Sequence, residues 1–354
     1  MFHLPRVILR SGVAGLALAF LVLAAGSAIP PADSQKPLQI YFVDVEGGQA
    51  TLFVTPAGQS LLIDTGWSGF ENRDANRIAA AAKDAGITRI DFVLLTHYHR
   101  DHSGGVPELA AKIPIGAFID HGENREPSEG TEQIWQAYLK TAAERKIKRI
   151  SVKPGETLPL RGIETKVITA DGVVIARPLP GAGAENAACK TAPQPAADPS
   201  ENPRSLGTLF TLGKLRILDL GDLTEDKERL LMCPVNKLGP IDIFVVNHHG
   251  STSSNSALFV NGIAPRVAIM DNGESKGAAS SSWDVVRKSS RLEDLWQLHY
   301  SKEGGADHNV PETFLANLAG TDPGNYLKLS AWPDGHFEIL NSRIQSTKRY
   351  SAAS

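Results

Sequence analysis

Cysteine is nearly missing from this 354-residue chain, with Cys189 and Cys233 as its two examples. Neither belongs to a Cys-x-x-Cys pair, so a thiolate metal site and a multi-bridge disulfide scaffold are both excluded. An excess of positive charge is missing as well. With 36 Lys and Arg against 39 Asp and Glu, no global basic field draws the chain to nucleic acid. No internal repeat at a short fixed period is visible. The apolar run Val13 to Leu23 is short for a full membrane span. It follows Arg6 and Arg10 and leads into small residues ending at Ala28, the layout of a secretory signal peptide over residues 1–28. The expected mature protein is therefore secreted or periplasmic, with no stable membrane anchor after cleavage. Losing those two arginines leaves 34 basic against 39 acidic side chains, a formal charge of −5. Export makes one disulfide between Cys189 and Cys233 possible without requiring it.

What is present is an ordinary globular composition, 42% hydrophobic, enough for a large core. Short apolar runs bounded by glycine turns predict strands at Leu38 to Val45, Ala50 to Thr55 and Ser60 to Ile63. Further strands are predicted at Ile90 to Leu95, Ile115 to Ile119, Ser205 to Leu212, Leu215 to Leu220, Ile241 to Val246 and Val267 to Met270. A last hairpin is predicted across Pro333-Asp334-Gly335. Helical spacing marks Arg73 to Ala85 and Thr131 to Lys146. Residues 177–203 are rich in Pro, Ala, Gly and Asn, which excludes sheet and long helix and predicts an exposed loop between two halves. The remainder reads as one domain over residues 36–345.

One stretch concentrates the chemistry. Thr96 to His102 places His97, His99 and His102 with Asp101 directly after the apolar run Phe92 to Leu95. In extended chain the first two histidines and the aspartate share a side and His102 points away, so the segment must bend to gather them. Ser103-Gly104-Gly105 follow, two positions able to take positive φ. Imidazole and carboxylate donors without cysteine fit a catalytic site for zinc or a related divalent ion; the bland reading is a polar surface loop. Polar residues also close other apolar strands: Asp64, Asp222 and the pair His248-His249. One edge of a layered α/β protein is where such strand ends meet.

The sequence His97-x-His99-x-Asp101-His102 resembles the signature of the metallo-β-lactamase superfamily. Asp64-Thr65-Gly66, Gly221-Asp222 and His248-His249-Gly250-Ser251, with Asn202 and Ser205-Leu206, extend the resemblance to the ComEC-like branch. The resemblance implies an α/β (α+β) fold, a four-layer αββα sandwich. It also implies two divalent metal ions, zinc or else manganese: one on His97 and His99, the other on Asp101, His102 and His249, with Asp222 bridging. His248 is then a neighbour or substrate contact, although the histidine pair can exchange roles, and Asp64 orients an imidazole. Many superfamily members place a third histidine on the first ion, but none occurs between His121 and His248. Asn202 stands nearest that place, as a ligand or a substrate contact.

The implied activity is hydrolysis by a metal-bound hydroxide, with Asp101, His248 and Asn202 as the catalytic candidates. Phosphodiesters lead as substrates, and nucleic acid or another anionic polymer could lie along the basic run from Lys140 to Lys153. Small β-lactams or lactones are the alternative. A non-catalytic metal-binding module of the cell envelope is the alternative of another class. His121, Ser251, His299 and His308 are further candidates for the pocket.

Overall fold

Alternate residues of the first strand serve two different cores. Ile40 and Phe42 point one way and Tyr41 the other, and all three are buried. A strand hydrophobic on both faces must be covered on both, which calls for layers. The computed structural model describes residues 1–3 and 36–353, so most of the expected leader at 1–28 lies outside the described residues.

The first sheet begins with β1 (Leu38–Phe42), β2 (Thr51–Val54) and β3 (Ser60–Ile63), paired antiparallel. Helix α1 (Arg73–Asp84) leads into β4 (Ile90–Leu94), and α2 (Arg100–Ser103) and α3 (Val106–Lys112) into β5 (Ile115–Asp120). Helix α4 (Glu129–Glu144) returns to the edge strand β6 (Lys148–Ser151). Strands β3 to β6 run parallel. The second sheet opens with β7 (Glu164–Ala170), β8 (Val173–Val174), β9 (Gly207–Leu212) and β10 (Leu215–Asp219). It continues through α5 (Glu225–Met232), β11 (Ile243–Val245), α6 (Ala257–Ile263) and β12 (Val267–Met270). Helix α7 (Ser280–Arg287), β13 (Asp294–His299) and β14 (Leu315–Asn317) complete it. The chain then returns to the first sheet as β15 (Leu327–Ala331), β16 (Phe337–Asn341) and β17 (Ser346–Tyr350), with β15 against β1.

Three cores separate four layers. Phe53 and Phe210 stack at 4.4 Å between the sheets. Tyr41, Ile78, Trp135 and Tyr138 fill the space under α1 and α4, and Met232, Phe244, Phe259 and Val286 that under α5 to α7. This is the expected αββα sandwich.

Two expectations are corrected. The Pro-rich loop does not divide the halves, because β7 and β8 precede it and β7 pairs with β9 after it. It is an excursion within the second sheet, and the crossover between sheets lies between β6 and β7. The terminal hairpin gains a third strand, β17, whose exposed Ser-Thr-Lys-Arg start carries little apolar signal. The loop is pinned by a disulfide between Cys189 and Cys233.

Candidate metal centre

Strand β4 ends at Leu94, and the turn after it is tightened by helix α2, which lifts His102 round to the same side as His97. The glycines behind it are not there for positive φ: Gly104 and Gly105 have φ of −62° and −74°. They are needed for approach, since a Cβ on Gly105 would stand 2.2 Å from the Thr65 carbonyl oxygen. On the second sheet, His248 and His249 follow β11 with φ of 52° and 54°. Two successive left-handed residues turn both rings toward Asp222, which follows β10.

The donors converge. His102 Nε2 lies 3.1 Å from His249 Nε2, 3.3 Å from Asp101 Oδ2 and 3.2 Å from Asp222 Oδ1. His249 Nε2 lies 3.3 Å from Asp101 Oδ2 and 3.4 Å from Asp222 Oδ1. Four donors about 2.1 Å from one ion in a tetrahedron stand about 3.4 Å apart, so these separations fit a divalent ion of the zinc class. Asp222 Oδ1 is buried without a hydrogen-bond partner, as expected of an oxygen meant for a metal. Next to this group, His97 Nε2 and His99 Nδ1 lie 3.1 Å apart, and Asp222 Oδ2 is 3.8 Å from His97 Nε2 and 3.4 Å from His248 Nε2.

Four of the five rings are held by a hydrogen bond at the other nitrogen, and the fifth, His249, faces a carboxylate there. Thr96 Oγ1 is 3.0 Å from His97 Nδ1, Glu126 Oε2 2.9 Å from His99 Nε2, and Asp64 Oδ2 2.7 Å from His102 Nδ1. Ser253 Oγ is 3.1 Å from His248 Nδ1, and Asp271 Oδ1 faces His249 Nδ1 at 3.3 Å. Four imidazoles hydrogen-bonded from outside and a fifth facing a carboxylate, with five nitrogens turned inward, is how a protein orients metal ligands. Asp64 is itself fixed, accepting from the Thr96 amide at 2.8 Å and the Thr96 hydroxyl at 2.6 Å.

Burial would raise the Asp101 and Asp222 carboxyls, but the surrounding charges hold both well below the carboxylate range: His102 and Lys276 at Asp101, and His102, His248 and His249 at Asp222. Burial, with His102 and His99 adding to it, drives His97 well below its ordinary value, so that ring is neutral. His102 goes the other way: burial opposes its proton, yet Asp222, Asp101 and Asp64 raise it well above. His249 rises to about 10, because Asp222 and Asp271 outweigh burial and Lys276. Two buried carboxylates thus demand positive charge at their centre.

Residues 43–184 match the metallo-beta-lactamase superfamily. The chain carries a metallo-β-lactamase domain. Asp101, His102, Asp222 and His249 form a candidate metal site. Two relatives cover more of it at low identity. Recombination protein 2 of Haemophilus influenzae is 24% identical over 249 residues, 68% of this chain and 25% of that protein. ComE operon protein 3 of Bacillus subtilis is 26% identical over 190 residues, 53% of this chain and 21% of that protein. The chain therefore spans a quarter or less of either relative. Among solved structures, a diphosphatase of the PhnP family is similar at 14% identity and a TM-score of 0.40, over 84% of this chain and 98% of that one.

His97, His99, Asp101 and His102 from the matched residues meet Asp222, His248 and His249, which lie beyond them in the chain, with Asp64 behind. Asn202 does not join their hydrogen bonds: its Oδ1 is buried and unpartnered. Ser205 is closer to the chemistry, its hydroxyl accepting from the Asp222 amide at 3.2 Å and lying 3.5 Å from His97 Nδ1. The remaining histidines are engaged elsewhere. His121 pairs with Glu201 at 3.0 Å, His299 with Glu46 at 3.2 Å, and His308 is 3.7 Å from Asp284. In the basic run, Arg149 is committed to Asp120 and lies over the Trp135 ring. Sequence reasoning missed Glu126, Asp271 and Lys276. Asp271 had a legible signal, a carboxylate at the end of β12 like Asp64 after β3, whereas Glu126 lies in a loop with no local pattern.

Proposed function

We propose that the protein is an exported, metal-dependent phosphodiester hydrolase that takes two divalent ions. His97, His99 and His248 would hold one and Asp101, His102 and His249 the other, with Asp222 available to both. The observation that carries this reading is the convergence of His97, His102, His248 and His249 on the two carboxylate oxygens of Asp222. His248 takes the place first given to Asn202, so both positions are nitrogen-rich, which favours zinc over manganese. When bound, such a pair of ions acidifies a water and offsets charge on the attacking and leaving oxygens. The chain's own part is to keep Asp101 and Asp222 ionised as acceptors.

The phosphodiester assignment is supported by relatives named for recombination and competence. Export is supported by the signal-like residues 1–28 and by the Cys189–Cys233 bridge, which suits an oxidising compartment. The test is metal content and turnover of bis(p-nitrophenyl) phosphate, DNA, a lactone and a cephalosporin by the parent and a His99→Ala, Asp101→Ala double variant. Equal activity in both sinks the hydrolase reading, and cephalosporin turnover without phosphodiester turnover replaces the substrate. A parent without metal favours an envelope interaction module.

A further inference from the structure

The side chain the proposed centre leaves unexplained is Lys276. Its Nζ contacts Asp101 Oδ2, the oxygen that also lies 3.3 Å from His102 Nε2 and from His249 Nε2. A divalent ion held by Asp101, His102 and His249 would compete with the ammonium for that oxygen, because like charges would stand close together on one carboxylate. Metal entry would therefore weaken the ammonium's hold on Asp101. Its backbone cannot follow. Gly273 donates to the Lys276 carbonyl at 2.9 Å, Ala278 donates to the His249 carbonyl at 2.7 Å, and Ala279 to that of Gly250 at 3.0 Å. Only the flexible side chain is free to swing.

Where it can go is also visible. Lys276 is half-buried and lines two adjoining cavities. One, of about 130 Å³, is walled by His248, His249, Ser251 and Thr252, with Glu303 at its edge. The other, of about 300 Å³, holds Trp67, whose ring centroid is 5.1 Å from Nζ. A cation over an indole face keeps a partly desolvated position. The other cations beside the opening are engaged: Arg73 with Asp74 at 2.6 Å, and Arg100 with the Ser68 hydroxyl and carbonyl, each at 3.2 Å.

We infer that Lys276 is the anion-recognition residue of the centre: metal entry releases it from Asp101, and it then binds a phosphoryl oxyanion of the substrate at the mouth beside His248. This rests on the binuclear reading for the metal and names the substrate class the mouth selects. An ammonium supplies a charge-assisted hydrogen bond to such an oxyanion without fixed bidentate geometry, which suits a phosphate that must move during turnover.

The experiment uses the full chain with Lys276→Ala and Lys276→Arg, all first compared by thermal melting. Zinc affinity is read by chelator competition without substrate, and then inorganic phosphate and a dinucleotide with one internal phosphodiester are titrated calorimetrically into the zinc-loaded proteins. Lys276→Ala should bind zinc several-fold more tightly, since a competitor for Asp101 is gone, and both phosphoryl ligands about tenfold more weakly. Lys276→Arg should restore phosphoryl binding. Unchanged zinc affinity in Lys276→Ala, or unchanged dinucleotide affinity, overturns the inference. Neither readout needs turnover, so a parent that binds zinc and phosphate without hydrolysing any ester defeats the hydrolase reading and leaves this one standing.

Discussion

Two groups of histidine and carboxylate occur among the described residues, and their difference shows what makes such a group a metal site. The first surrounds Asp222. The second joins Asp44, Glu46, His299 and Asp322. In the second the positive charge is built in. The Arg77 guanidinium contacts Asp322 and lies 3.8 Å from Asp44 Oδ2, and Arg73 adds a further cation 3.9 Å from Asp322. His299 Nδ1 faces the Tyr300 carbonyl at 3.1 Å, and its Nε2 is shared between the Thr321 carbonyl at 3.1 Å and Glu46 at 3.2 Å. Around Asp222 no guanidinium enters, and every ring nitrogen that faces inward meets another donor. Clustering alone therefore does not identify a metal centre. The direction of the ring nitrogens, and whether a guanidinium already serves the carboxylates, decide it.

The sharpest break would come from Asp222→Asn. It removes the anion shared by both proposed ions, so bound metal should fall toward zero and kcat/KM by about a thousandfold or more, roughly 4 kcal/mol of transition-state stabilisation. Plasma mass spectrometry and steady-state kinetics check it, and full metal occupancy would contradict the assignment. Next, His248→Ala and His249→Ala should each lose one ion and keep the other, with affinity for the lost ion down about 10–100-fold or more. If His248→Ala retains both, the first ion is held without it.

In the other group, Arg77→Ala leaves buried Asp44 without its cation and should destabilise the fold by about 3 kcal/mol while leaving metal content unchanged. Lost metal would make the second group a metal site after all. The mildest effect is on pH dependence. Burial would lower His299, but Glu46 and Asp44 raise it to about 9. A folded pKa above the unfolded one gives stability that is complete below about 6.5 and is lost as pH rises through about 9. Asp44, raised to about 7 mainly by burial, acts in the same sense between its ordinary value and 7. Glu46, held at about 2 by His299 against its own burial, has the opposite sign, its share being lost as pH falls from its ordinary value toward 2. Melting temperatures between pH 6.5 and 9.5 should decline in the parent, and the decline should be smaller in His299→Gln.

Much of this was legible in the residues. The αββα layering was implied by the family resemblance that the motifs carry, and the first half of the site was legible in six consecutive positions, 97–102. Residue order also singled out Asp64, Asp222 and the histidine pair, because each closes an apolar strand. Glu126 and Lys276 were not legible, since loops carry no periodicity to say which way a side chain faces. The placing of Asn202 near the first ion, as ligand or substrate contact, came from counting histidines along the chain, and its buried Oδ1 has no hydrogen-bond partner.

The sequence by itself determined the donors, their chemistry and the strand ends that carry them, because hydrophobic alternation and short-range spacing are local. Tertiary structure alone decided which nitrogen of each imidazole faces inward, that His248 and His249 take opposite oxygens of Asp222, and that Lys276 rests on Asp101. Those outcomes depend on two successive residues at positive φ and on the meeting of two sheets, and neither is encoded by any single stretch.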